Sequence, residues 1–340
     1  MSEPLLTVAL PTCNGARHLP EAIRGLRAQE AEGVAFDLLV CDDRSEDDTR
    51  EVVRRELGDR ARIVLNPYRL GLAGNWNRCA ALSRTPYVAI VHQDDVLLPG
   101  HLARALAAFE GLTSHGPPGF VVGAATAIDA EGRPLPPGAV DPGTPAFDEA
   151  VGRLPPDAIG GRVLFYGPGG FVPALAAENP LRCSGVVLSR DAHEAVGGFD
   201  ASYRYAVDWD FWLRVAGRYA VAWILEPPGV AFRWHAASET HRFKTGLADL
   251  AEQERLLAGV LGGDAPSRAL RRVARRRLAR AYLNRAYDAA HAGDRLLQGR
   301  ALARAIRLDP ATAARLAADP RLLARLVLGP RSGQPGRDST

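Results

Sequence analysis

The chain has 340 residues, 47% of them hydrophobic and 24% charged, with a formal net charge of +3. Those values exclude wholesale disorder and imply one large or two modest domains of about 100–200 residues each. No apolar run approaches the ~20 residues needed to cross a bilayer, and no basic, apolar leader pattern opens the chain, so an unsecreted cytoplasmic protein is expected. The four cysteines, Cys13, Cys41, Cys79 and Cys183, lie far apart without CxxC spacing. That spacing argues against a disulfide framework or structural zinc and fits a reducing compartment. Charge is unevenly spread: residues 264–340 hold 17 arginines against six aspartates, or +11, which leaves −8 for residues 1–263. A basic end of this kind suits phosphates, anionic lipid or an acidic partner, or it is the solvated face of amphipathic helices.

Along the chain, Leu5 to Leu10 reads as a strand ending at Pro11, and Leu19, Ile23 and Leu26 recur at helical spacing with Pro20 in the first turn. Asp37 to Cys41 is a second buried strand, stopped by Asp42 and Asp43. Ser45 followed by Asp48 reads as a capping box for the helix carrying Val52, Val53 and Leu57. Arg62 to Leu65 is a third strand, Ala73 to Leu82 a helix and Tyr87 to Val91 a fourth strand. This alternation predicts a mainly parallel sheet covered by helices, with ligands at the carboxyl ends of its strands. Polar residues collect at those ends: Thr12 to Asn14, Asp42 and Asp43, and His92 to Asp95.

Residues Ala130 to Gly170 are rich in Pro and Gly and read as long surface loops. A short strand is expected over Cys183 to Leu188, then a turn at Gly197 to Asp200 and a helix over Asp210 to Arg218. Beyond Thr245 the composition turns to Ala, Leu and Arg. Helical stripes run through Leu270, Val273, Leu278, Tyr282 and Ala286, then through Leu297, Ala301, Ile306 and Leu308. With Pro310 and Pro320 as punctuation, short helical hairpins are expected, and a disordered end from Gly329.

Three places carry chemistry. Asp42 and Asp43 either sit at the positive end of the following helix or accept hydrogen bonds from a base or ribose. In His92-Gln93-Asp94-Asp95 a hydrophobic strand runs directly into two carboxylates, whose desolvation calls for a partner: a hard divalent cation bridging a diphosphate, or a nearby arginine. In Asp208-Trp209-Asp210-Phe211-Trp212 one carboxylate is free to cap a helix while the other faces a cleft. A carboxylate between aromatic walls becomes a better proton acceptor as burial raises its pKa. Asp208 as a simple helix N-cap is the alternative. Arg233, His235 and Ser238 form a further polar cluster. No GxGxxG, GxxxxGK[ST] or GxSxG motif is present, which weakens dehydrogenase, P-loop and α/β-hydrolase readings.

The order of motifs resembles the family 2 inverting glycosyltransferases of the GT-A fold over roughly residues 5–240. It is carried by Val8 to Gly15, Asp42 to Ser45, Gly71 to Asn77, Gln93-Asp94-Asp95 ending in Pro99, Gly197 to Asp200, and Asp208 to Trp212. The resemblance implies an α/β nucleotide-diphospho-sugar transferase fold with a mixed, mainly parallel sheet and an all-α C-terminal appendage. It divides the chain into a nucleotide-sugar half (1–126), an acceptor half (127–244), helices (245–330) and a disordered tail (331–340). It implies a metal-dependent, hexosyltransferase-like transfer from a nucleotide-diphosphate sugar to an acceptor hydroxyl, in the synthesis of cell-surface glycan or polysaccharide. Pro11, Thr12, Cys13, Asn14, Asp42, Asp43, Asn77, Arg78, Gln93 and Asp94 would bind the nucleotide. Asp94 would hold Mg²⁺ or Mn²⁺, with His92 and His235 as further candidate ligands. Asp208 would be the general base, and Asp95, Trp209 and Asp210 would lie on the acceptor side. The chain departs from the family pattern at Cys13, where Tyr is usual, at His92, which aligns with the first DxD carboxylate, at Val207, where an acid is usual, and at Trp76.

The expected partners are therefore a nucleotide-sugar donor and a glycan or lipid-linked acceptor, without nucleic acid. Contact of the basic C-terminal helices with the inner face of a membrane or with a protein stays open. Two other functions stand beside this one: a nucleotidyltransferase, and a catalytically silent sugar-nucleotide-binding or scaffold protein.

Overall fold

Seven consecutive buried residues, Leu6–Thr12, form β1 inside a nine-stranded sheet. Fully buried Val, Leu and Ile side chains such as these each contribute about 1.5–3 kcal/mol, which fixes the strand in the core. The strand runs on past the expected stop at Pro11. Val91 N–H donates to Ala9 O and Asp43 N–H to Thr12 O, so odd residues of β1 face one neighbouring strand and even residues the other. Pro11 therefore turns its missing N–H to the side where ladder pairing has already ended.

The computed structural model describes residues 3–110, 116–136, 138–140, 158–160, 162–235, 246–262 and 268–318. It forms two units, Met1–His241 and Arg242–Thr340. In the first, β1 is followed by α1 (Leu19–Ala31), β2 (Asp37–Asp42), α2 (Thr49–Leu57), β3 (Arg62–Leu65), α3 (Gly71–Leu82) and β4 (Tyr87–Ile90). These four strands are parallel, as the alternation predicts, in the order β3-β2-β1-β4. Beyond β4 come β5 (Val96–Leu97), α4 (His101–Glu110), β6 (Pro118–Gly123), β7 (Ala125–Ile128), β8 (Ala158–Gly160), β9 (Val163–Tyr166), α5 (Val172–Ala177), β10 (Val186–Ser189), α6 (Arg190–Ala195), α7 (Val207–Arg218), β11 (Ala220–Ile224) and β12 (Val230–Arg233).

The large sheet continues from β4 as β10-β6-β11-β9-β8, with β10 antiparallel to both neighbours and β11 parallel to β6. Strands β6 and β11 are not foreseen by the sequence; in β6, Pro118, Gly119 and Gly123 resemble a turn. Gly119 is instead a packing requirement: a Cβ there would meet Val215 Cγ1 at 2.4 Å and Tyr219 Cβ at 2.7 Å. A second sheet, β5-β12-β7, is not foreseen as a sheet, although Val230 to Arg233 reads as strand-like in the sequence and is β12.

Several local expectations are corrected. Ser45 does not cap α2: its N–H and Oγ both bond Asp42, and Thr49 N–H, at the start of the helix, donates instead to Asp47 Oδ1 at 3.1 Å. The stretch Ala130 to Gly170 contains β8 and β9, although 141–157 lie outside the described residues. Residues Cys183–Gly185 form a 3₁₀ turn before β10 begins. Helix α7 starts at Val207, so Asp208 is in its first turn and Ala206 is its N-cap.

The second unit is helical: α8 (Ala248–Gly262), α9 (Arg268–His291), α10 (Arg295–Leu308) and α11 (Ala311–Ala318). Helix α9 has 24 residues, longer than the short hairpins expected. Ala286, Ala301 and Ala305 are fully buried beside Tyr282, so small side chains let the helices approach closely. Arg285 pairs with Asp249 at 2.8 Å and Arg304 pairs with Glu254, which joins α9 and α10 to α8. The expected tail from Gly329 lies outside the described residues.

Candidate active site

Parallel register brings the carboxyl ends of β1, β2 and β4 to one rim. Thr12 is paired in register with Asp42, and Val91 follows β1 by its bond to Ala9. Asp42 is buried, and its Oδ2 accepts from Ser45 Oγ (2.6 Å) and Thr12 Oγ1 (3.0 Å), while Oδ1 accepts from Ser45 N–H (3.0 Å). Asn14, at φ 51°, closes the same loop: its N–H donates to Ser45 Oγ at 3.0 Å and its Oδ1 accepts from Glu46 N–H at 2.8 Å. Gln93 grips Cys13 at both ends, with Oε1 accepting from Cys13 N–H (2.8 Å) and Nε2 donating to Cys13 O (3.0 Å). Gly15 makes room for that grip, since a Cβ there would lie 2.1 Å from Gln93 Oε1.

The turn after β4 is the most charged part of the rim. One ligand atom each of His92, Asp94 and Asp95 lies within 4.8 Å of the others. His92 stacks on buried Trp76, with ring centroids 5.0 Å apart and planes at 20°, and its Nε2 is buried without a hydrogen-bond partner. Asp95 accepts from Ser184 Oγ (2.6 Å) and Arg233 N–H (2.9 Å), and burial followed by repulsion from Asp94 pushes its carboxyl above the ordinary range. Asp94 behaves oppositely. Burial would raise it, but the His235 hydrogen bond and the charges of His92 and His235 outweigh burial and hold it low.

His235 Nε2 stands 3.0 Å from Asp94 Oδ2, and His18 packs on His235 with ring centroids 5.1 Å apart. The small sheet makes this contact. Ala231 pairs with Val96, so β12 runs beside the segment just after Asp95 and delivers Arg233 and His235 to the acidic turn. Arg233 is 4% exposed and donates to Asp94 O at 3.0 Å and to Asp129 O at 3.0 Å. The guanidinium of Arg233 thus meets the backbone of the acidic turn and pairs with Glu21, while the partner of the Asp94 carboxylate is the imidazole of His235.

Asp208 sits in the first turn of α7. Burial raises its pKa, opposed by hydrogen bonds from Trp209 N–H and Asn179 and by the charges of Arg182 and His92. His92 thus acts on Asp94, Asp95 and Asp208 alike. Cys183 feels both Asp208 and Asp95, although burial is the larger cause of its raised pKa. The base candidate and the acidic turn are within electrostatic reach of the same two side chains.

Other candidates are committed to the scaffold. Asp43 accepts from Leu70 N–H (2.7 Å), Gly71 N–H (2.9 Å) and Asn66 Nδ2 (2.9 Å), which satisfies the start of α3. Asn77 brackets Phe199, accepting from its N–H and donating to its O, both at 2.8 Å. Trp209 Nε1 donates to Leu175 O at 2.8 Å, and Asp210 pairs with Arg214 at 2.6 Å. Arg78 is exposed, Pro11 is buried in β1, and Ser238 is outside the described residues. Sequence reasoning missed Ser184, Asn179 and His18. Of these, His18 alone had a visible cue, lying just after the polar end of β1.

A mixed sheet with strand-tip carboxylates at the rim defines the GT-A class of nucleotide-sugar transferase folds. The same fold is found in S. aureus TarS 1–349 in complex with UDP-GlcNAc, with a TM-score of 0.63, 15% identity and coverage of 94% of this chain and 86% of that one. Residues 7–149 match Glycosyl transferase family 2. An uncharacterised protein of Mycobacterium tuberculosis is 29% identical over 262 residues, 76% of each chain. A GalNAc(5)-diNAcBac-PP-undecaprenol beta-1,3-glucosyltransferase of Campylobacter jejuni is 34% identical over 103 residues, which cover 29% of this chain and 33% of that protein. The matched segment thus resembles a glycosyltransferase domain. Among its described residues no helix is long and apolar enough to cross a membrane.

Proposed function

We propose that the protein moves a sugar from a nucleoside-diphosphate donor to a hydroxyl of a lipid-linked glycan, inverting the anomeric centre in one displacement. What supports this reading is the cluster of His92, Asp94 and Asp95 at the carboxyl end of β4, in a segment that matches Glycosyl transferase family 2. Asp208, raised by burial, takes the acceptor proton as the hydroxyl attacks. Thr12 to Asn14, held by Asp42, Ser45 and Gln93, shape the nucleotide end, while Asp43 and Asn77 hold the backbone around it.

The donor set of His92, Asp94 and Asp95 fits a divalent cation of the Mg²⁺ or Mn²⁺ type, since it joins two carboxylates to an imidazole whose Nδ1 stands 3.6 Å from Asp95 Oδ2. Bound there, such an ion supplies Lewis-acid stabilisation of charge on the leaving diphosphate. The lipid-linked acceptor is supported by the Campylobacter relative, a glucosyltransferase named for an undecaprenol-diphosphate-linked glycan. The test is sugar transfer from a panel of nucleotide sugars to polyprenyl-diphosphate-linked acceptors, with nucleoside diphosphate release measured in parallel. Release that requires both acceptor and Asp208 supports the reading. Donor binding without transfer to any acceptor would replace it with a silent binding protein.

A further inference from the structure

The densest run of positive charge in the second unit is a feature that sugar transfer does not use. Arg268, Arg271, Arg272, Arg275 and Arg276 follow the spacing i, i+3, i+4, i+7 and i+8, which places them on one face of α9. All five are exposed, and with Leu308 and Asp309 they line an open cleft of about 340 Å³. Asp309, the acid in that lining, is already engaged by Arg315 at 2.6 Å. Among the described residues none of the five arginines is in an ion pair. Elsewhere in the unit Arg285 pairs with Asp249, Arg304 with Glu254 and Arg315 with Asp309.

Helix stability does not account for this row. Like charges three and four residues apart oppose helix formation, and cations in a first turn oppose the helix dipole. An anionic surface would offset that repulsion. From Arg268 to Arg276 the row extends about 12 Å at 1.5 Å per residue, longer than one phosphate group. Guanidinium forks bind phosphate oxygens in pairs, so an extended row matches a surface of repeated phosphates. Single-stranded nucleic acid calls for aromatic platforms as well, and the cleft lining supplies an apolar Leu308 instead of an aromatic ring. Val273, 41% exposed, adds a second apolar group beside the row.

The geometry points to this arginine face as a docking surface for the phosphate headgroups of an anionic lipid bilayer. It binds peripherally, by charge, and does not depend on the reaction proposed above.

The test is co-sedimentation of the full chain with phosphatidylcholine vesicles, with and without about a third phosphatidylglycerol, at about 0.1 M and about 0.5 M salt. Binding to the anionic vesicles alone, lost at the higher salt, is expected. Each arginine near such a surface contributes about five-fold, so Arg271→Glu, Arg272→Glu, Arg275→Glu and Arg276→Glu together should lower partitioning by about 10²-fold or more. The milder pair Arg271→Gln and Arg275→Gln should lower it by about 25-fold. Circular dichroism melting verifies that both variants are folded. Equal sedimentation with neutral and anionic vesicles, no binding by the unmodified chain, or undiminished binding by a folded variant overturns the proposal. So does tight capture of an oligonucleotide by a chain that ignores the anionic vesicles.

Discussion

His235 Nε2 meets Asp94 Oδ2 at 3.0 Å across 141 residues of chain, joining the end of β12 in one sheet to the end of β4 in the other. A carboxylate held low by that contact is ready to receive a cation rather than a proton. Replacing His235 with Ala should therefore weaken Mn²⁺ binding by about 10- to 100-fold, the usual effect of losing a ligand's supporting partner. Electron paramagnetic resonance of free Mn²⁺ measures this without turnover. Unchanged affinity would detach His235 from the cation site.

Asp208→Asn removes a proton acceptor while keeping the shape and the contact with Asn179. Transfer should fall by about 10²- to 10⁴-fold, with nucleoside diphosphate affinity by calorimetry unchanged. Because burial raises the Asp208 carboxyl, the acid limb of kcat/KM should lie above the range of an exposed aspartate. Full activity in the variant would exclude Asp208 as base.

Asp43 predicts a stability effect, not a catalytic one. Asp43→Ala leaves Leu70 N–H, Gly71 N–H and Asn66 Nδ2 without their acceptor and should cost about 2–3 kcal/mol in urea unfolding. Asp43→Asn keeps one oxygen and should cost less. A neutral Asp43→Ala would show that water replaces the carboxylate at the start of α3.

Two histidines set an acid limit on folding. Burial drives His101 down to about 4 from an ordinary 6.5, and does the same for His193. Both nitrogens of His101 are buried without partners, against Gly123 and Gly229. The unfolded chain takes up these protons first. Stability is therefore fully present above about pH 6.5 and declines as pH falls towards 4. The apolar substitution His101→Leu should flatten the fall in melting temperature between pH 7 and 5. An unchanged slope would assign it to other groups.

The parallel strands were legible because each is a short buried run closed by a polar tip, as in Asp37 to Asp42. What sequence alone misplaced depended on long-range competition. Ser45 has the spacing of a helix cap, yet Asp42 and Asn14 claim its hydroxyl once β1 and β2 lie side by side. Strand β6 was hidden because Gly119 looks like a turn residue until α7 is packed against it. At the site, Asp94 and Asp208 were visible as carboxylates at element ends. Ser184 and Asn179 were not, because a lone hydroxyl or amide gives no pattern until folding sets it beside a buried acid.

The small sheet has a consequence for how such a protein can diversify. Strands β5 and β12 clasp the acidic turn directly, and everything between β7 and β12 leaves that clasp and returns to it. Insertions in that excursion can remodel what approaches from the far side while the clasp keeps its grip on the acids. On the function proposed above, new acceptor preferences would then arise around an unchanged acidic turn.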